Sequence, residues 1–142
     1  MDLLSRLRDY YFYTENFFKI KTKVNGLQTF KLRKYQRRFI DFVGEIQGPV
    51  RVIVLKPRQA GFSTLVSSLM CHKMFTQNHF TGIAMADKKK RTESIADIYS
   101  NFFRQLPKEL QPMVSTFNTE QLYLDNPKES DRALNPGLGS GS

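Results

Sequence analysis

With a single cysteine, Cys71, the chain cannot close an internal disulfide. A small disulfide-stapled extracellular fold is excluded, and a reducing compartment is expected. No apolar run reaches the ~20 residues that a membrane-crossing helix needs. The opening "MDLLSRLRDYY" is charged throughout and lacks the apolar centre of a secretion signal. Cys71, His72 and His79 do not fall at a zinc-binding spacing, and no segment repeats. These absences lead to the expectation of a soluble, intracellular, non-secreted protein.

What is present is a globular composition, 40% apolar over 142 residues, the size of one domain with a real core. The net charge is +9 and the pI about 9.8, so an acidic partner is expected. Residues 1–60 hold 13 Lys/Arg against 5 Asp/Glu, whereas residues 61–142 hold 9 against 8. The basic excess therefore belongs to the first part of the chain.

Leu3, Leu4, Leu7, Tyr10 and Tyr11 recur at helical spacing, and the pattern continues toward Phe17 and Phe18. "KIKTKVNGLQTFKL" alternates around Asn25-Gly26, a hairpin signal. Tyr35, Phe39, Val43 and Ile46 fit a second helix that Gly48-Pro49 ends. "VRVIVL" (50–55) and "TGIAMA" (81–86) read as strands buried on both faces. Between them, Leu65, Val66, Leu69, Met70 and Met74 mark a helix. Ile95, Ile98, Tyr99, Phe102, Phe103 and Leu106 mark another, stopped by Pro107, and "QLYLD" (121–125) reads as a short strand. Strand, helix, strand, helix is the order of an α/β parallel sheet with right-handed crossovers.

"VLKPRQAGFST" (54–64) is where chemistry is expected. It resembles the phosphate-binding spelling G-x-x-x-x-G-K-[ST]. Gly61 fills the second glycine position and Ser63 the hydroxyl position, but Phe62 stands where the lysine belongs and Lys56 replaces the first glycine. A triphosphate site here needs backbone N–H groups at the helix start. It also needs a hydroxyl on Mg²⁺, from Ser63 or Thr64, and a cation. Lys56 is a flexible point charge at the carboxyl edge of the strand, and Arg58 offers a planar fork. The competing reading is a polar turn with a cap at Ser63. Upstream, Gln36 can meet an adenine edge and Tyr35 or Phe39 can stack on the base, while as part of an amphipathic helix Gln36 reads simply as a surface residue.

Taken together, "ENFFKIKTK", "FKLRKYQRRFI" and "VIVLKPRQAGFST" resemble the N-terminal ATPase half of the large terminase subunit of tailed bacteriophages. "GIAMADKKKRTESIADIYSNFFRQLPKELQP" is similar to that family's second strand and following helix, and the likeness covers about residues 12–134. The resemblance implies a RecA-like (ASCE) P-loop ATPase that drives double-stranded viral DNA into a procapsid from the bacterial cytoplasm. It implies a ring of subunits working with a portal protein and a small terminase subunit, and a nuclease domain elsewhere in the complete protein. By position, Lys56 matches a displaced Walker A lysine and Arg58 a trigger or finger arginine. Gln59, Ala60, Gly61, Phe62, Ser63 and Thr64 match the phosphate loop, with Ser63 on the magnesium of Mg²⁺-ATP; Tyr35 and Gln36 match the adenine pocket.

The family's Walker B strand, coupling motif and acidic nuclease residues are absent. The expected organisation is therefore a lead-in (1–48), a partial ATPase core (49–134) and a tail or truncation point (135–142), with little hydrolysis by this segment alone. Two other constellations are weaker. Lys88, Lys89, Lys90 and Arg91 crowd a helix start, where the dipole disfavours them, and read either as a solvated face or as contacts to DNA phosphate. "YYFYTENFFKIKTK" reads as core packing rather than as a stacking platform for single strands. Rival functions are a non-catalytic basic module that grips nucleic acid through residues 1–60, and a helicase-like P-loop ATPase.

Overall fold

The computed structural model describes residues 3–22, 24–77, 80–117 and 122–125. In chain order the elements are α1 (Leu3–Arg8), α2 (Tyr10–Phe17), β1 (Lys19–Thr22), β2 (Gly26–Thr29), α3 (Lys34–Glu45), α4 (Phe62–Thr76) and α5 (Lys89–Gln105). A 3-10 turn (Lys108–Leu110), β3 (Met113–Phe117) and β4 (Leu122–Asp125) follow. The expected tail at 135–142, together with His79, lies outside the described residues. None of the helices in the described residues is long and apolar enough to cross a membrane.

The first helical pattern is two helices rather than one. Asp9 adopts an extended backbone and its carboxylate accepts from Phe12 N–H at 3.0 Å. A short acidic side chain that satisfies a free N–H starts a helix afresh. The hairpin forms as the Asn25-Gly26 signal indicates: β1 and β2 are antiparallel, with Lys19 opposite Thr29 and Thr22 opposite Gly26, which has φ +67°. Phe30 N–H donates to Phe18 carbonyl at 2.9 Å, so the ladder ends between two buried phenylalanines.

Those rings are part of the core. Phe18 and Phe102 lie 4.5 Å apart between centroids, and Phe30 packs on the same Phe102. Leu65, Cys71, Tyr13 and Leu106 also belong to the cluster. Helix α4 therefore lies between α2 and α5, while β1 rests on α5, where Asn101 Nδ2 donates to Lys19 carbonyl at 2.8 Å.

A polar seam joins α2 to α4. Ser68 Oγ gives its one proton to Leu65 carbonyl (2.7 Å), so the 2.6 Å contact with Tyr10 has the phenol as donor. His72 is edge-on to both Tyr10 and Tyr13, and its Nε2 meets Leu7 carbonyl at 3.0 Å. Burial holds the imidazole below its ordinary value of 6.5, partly offset by the Leu7 carbonyl. The neutral ring is thus the one that fits the fold. Stability from this site is fully present above about pH 6.5 and is lost as pH falls through the lower folded-state value. The unfolding free energy from urea titrations is expected to fall below about pH 6.5, by at most ~1.4 kcal/mol per pH unit. A His72→Gln variant should flatten that slope; an unchanged slope would place the titration elsewhere.

The segments 50–55 and 81–86, expected as parallel strands, join no strand. Both sheets in the described residues are two-stranded and antiparallel, β1–β2 and β3–β4. Ile53 and Leu55 are fully exposed, and Ile83 and Met85 nearly so. The reason is physical: a strand needs a neighbour to bond its backbone, and these two have none among the described residues. Within "QLYLD", Leu122–Asp125 form a strand, but as β4 beside β3, with an irregularity between Val114 and Thr116.

Candidate functional site

Three local features place the loop between residue 56 and helix α4. Gln59 and Gly61 both have positive φ, +60° and +71°. Gly61 then serves as the residue before α4, its carbonyl accepting from Leu65 N–H at 3.0 Å. A Cβ at Gly61 would lie 3.1 Å from Gln36 Nε2, so glycine is required there by conformation and by space. The helix geometry leaves the N–H groups of the first turn, residues 62–64, without intrahelical acceptors.

Helix α3 holds this loop. Tyr35 Oη donates to Ala60 carbonyl at 2.6 Å. Gln36 is buried, and its amide nitrogen donates to Gly61 carbonyl (3.3 Å) and, at longer range, to Ala60 carbonyl (3.5 Å). Its Oε1 accepts from Arg33 N–H at 2.9 Å. Both ends of the Gln36 amide are therefore engaged by protein. The expectation of a surface residue does not fit, because Gln36 is buried within the fold. It ties α3 to the loop.

Phe62 explains the missing lysine. Its ring stacks on Tyr35 (5.9 Å, 22°) and meets Phe39 edge-on (5.4 Å). The side chain at this position thus faces α3, packed against two aromatic rings. Tyr35 likewise has its ring on Phe62 and its hydroxyl on the loop. Ser63 is exposed and Thr64 half-buried on the first turn of α4.

The sequence-derived site residues thus divide. Tyr35, Gln36, Ala60, Gly61 and Phe62 come together, with Gln59 shaping the turn. Lys56 and Arg58 are exposed, and among the described residues neither makes a hydrogen bond or ion pair. Lys88, Lys89, Lys90 and Arg91 are exposed at the start of α5, where Arg91 pairs with Asp87 at 2.7 Å. One participant escaped sequence reasoning: Arg33 Nη1 donates to Tyr35 Oη at 3.1 Å, one hydroxyl away from the loop. Phe39 has a different part from the base-stacking one expected of it, since its ring packs on Phe62. It lies one turn beyond Tyr35 on α3, and that i,i+4 aromatic pair was the available signal.

A separate cleft of about 500 Å³ lies along the lead-in, lined by Glu15, Asn16, Thr29, Lys31, Leu32 and Arg37. Arg37 forms an ion pair with Glu15, and Tyr11 hydrogen-bonds Asp41. Partial burial and then that carboxylate push the Tyr11 phenol up to about 12. Among the described residues, no three His, Cys, Asp or Glu side chains cluster as metal ligands. No family model matches this chain, and comparison with curated proteins finds no match either.

Proposed function

We propose that this chain is an ATP-binding motor segment of the DNA-packaging terminase kind, acting on double-stranded DNA. The observation that carries the reading is the direct contact between the Tyr35-Gln36 pair and the Ala60-Gly61 carbonyls. The bonded residues lie 24 or 25 positions apart in sequence, and the two motifs of the resemblance meet at one loop. The left-handed Gly61 ahead of α4 adds to it, since a backbone lacking Cβ lets phosphate oxygens approach the first-turn N–H groups.

In this reading the phosphates lie over residues 61–64, with the Ser63 hydroxyl toward the Mg²⁺ of Mg²⁺-ATP. Because the side chain at 62 is turned into the α3 aromatics, neutralising charge has to come from the strand side of the loop. Lys56 and Arg58 are the exposed cations there. Tyr35 and Gln36 act on the nucleotide through the loop they hold. In the same reading the segments 50–55 and 81–86, which join no sheet among the described residues, supply parallel strands of an α/β P-loop core. The portal, small-subunit and ring partners follow from the same resemblance.

The test is a titration of the chain and of Lys56→Ala with a fluorescent ATP analogue and Mg²⁺. Lys56→Ala is expected to weaken binding at least about tenfold, equivalent to ~1.4 kcal/mol. Equal affinity of the two proteins would remove Lys56 from the site. Absence of binding by a wild-type chain shown to be folded would remove the nucleotide.

A further inference from the structure

From Asn16 to Ile40 the chain has eight Lys/Arg and no Asp or Glu. Seven of the eight fall among residues whose exposure is described, and all seven are exposed. They follow one another along β1, the connection after β2 and the start of α3, and Lys31 and Arg37 meet at one cleft. On β1, Lys19 and Lys21 alternate with the half-buried Ile20, and their cross-strand partners Thr29 and Leu27 carry no charge. Lys31 and Arg33 follow on the connection, and Lys34 and Arg38 repeat one turn apart on α3.

This arrangement works against the helix that carries it. Cations at the start of α3 oppose its dipole, and like charges at i,i+4 repel. Acids are few at its edge: Glu15 is tied to Arg37, and Asp41 accepts the Tyr11 hydroxyl. The tract also has a hollow, the cleft of about 500 Å³ that Lys31, Arg37, Asn16 and Thr29 help to line. A polar, basic, concave tract suits a sugar-phosphate backbone, since DNA-binding surfaces are more polar and far more positive than protein-binding ones. The cations before α5 are a poorer seat, because Asp87 engages Arg91 and Glu93 follows at once.

We infer that the acid-free tract running from β1–β2 into the first part of α3, as far as Ile40 and centred on the cleft between Lys31 and Arg37, seats the backbone of double-stranded DNA. The inference rests on the DNA substrate of the reading above but uses none of the residues proposed for the nucleotide. It also gives Glu15 a specific role. As the one carboxylate lining the cleft among the described residues, it competes with phosphate for Arg37.

The experiment follows the anisotropy of a short labelled duplex over a series of salt concentrations. Removing one cation from a phosphate lowers the slope of log affinity against log salt by about 0.9. Lys31→Gln combined with Lys34→Gln should therefore lower it by roughly 2 and weaken binding at every salt concentration. Glu15→Gln should tighten binding at fixed salt. Lys88→Gln with Lys89→Gln and Lys90→Gln should leave the slope near that of the parent. The inference is overturned if the α5 substitutions lower the slope and the Lys31/Lys34 pair does not. It is also overturned if Glu15→Gln has no effect, if no duplex binds at low salt, or if phosphatidylserine vesicles bind the chain while the duplex does not. In each of these cases the Lys56 nucleotide titration remains an independent measurement.

Discussion

Replacing Phe102 by alanine is expected to lower the unfolding free energy by about 3–5 kcal/mol, the usual loss for truncating a buried aromatic. The ring is fully buried and packs against both Phe18 and Phe30, so it is where α5 meets the base of the hairpin. Phe18 and Phe30 are themselves joined through the backbone. A cavity there loosens three segments together and cannot be closed by one side chain relaxing. Domains of this size have about 5–15 kcal/mol in total, so the variant should be largely unfolded at a modest urea concentration. Chemical denaturation followed by circular dichroism measures this, and a loss below about 1 kcal/mol would mean that the site collapses around the missing ring.

Gly61→Ala should have the second-largest effect, with two separable parts. An alanine at φ +71° carries the left-handed penalty, about 1–2 kcal/mol. The new Cβ, 3.1 Å from Gln36 Nε2, also presses on an amide held at both ends. Gly48 provides the control, because its φ is +95° and a Cβ there meets nothing. Gly48→Ala should show the backbone penalty alone, and Gly61→Ala that penalty plus the disturbance of the Tyr35-Gln36 tie. On the proposed function, only Gly61→Ala should also reduce affinity for the ATP analogue, by about tenfold or more. Equal behaviour of the two variants in both measurements would show that Gln36 does not support the loop.

The helices and the first hairpin were legible in the sequence because their signals are local. Asn25-Gly26, Gly48-Pro49 and Pro107 punctuate the chain, and the apolar stripes between them have helical spacing. The break at Asp9 was also local, an N-cap inside an apolar pattern, but the period of the aromatics concealed it. "VRVIVL" and "TGIAMA" were readable as strand-forming composition, yet a ladder depends on a second segment that composition does not name. At the loop, the glycine and the hydroxyls were legible and the meaning of Phe62 was not. A motif spelling records which residue is missing, whereas the orientation of its replacement depends on Tyr35 and Phe39, which belong to a different helix. The same holds for Gln36, whose amide is satisfied by backbone from two separate segments.

Cys71 is fully buried in α4, and burial raises its thiol well above the ordinary range. A cysteine sulfur is oxidised or alkylated through its thiolate and only where reagent can reach it. In the folded chain both conditions fail at once. Peroxide oxidation of Cys71 must therefore come after the helix has opened, making a sulfenic acid there a record of prior unfolding and not its cause.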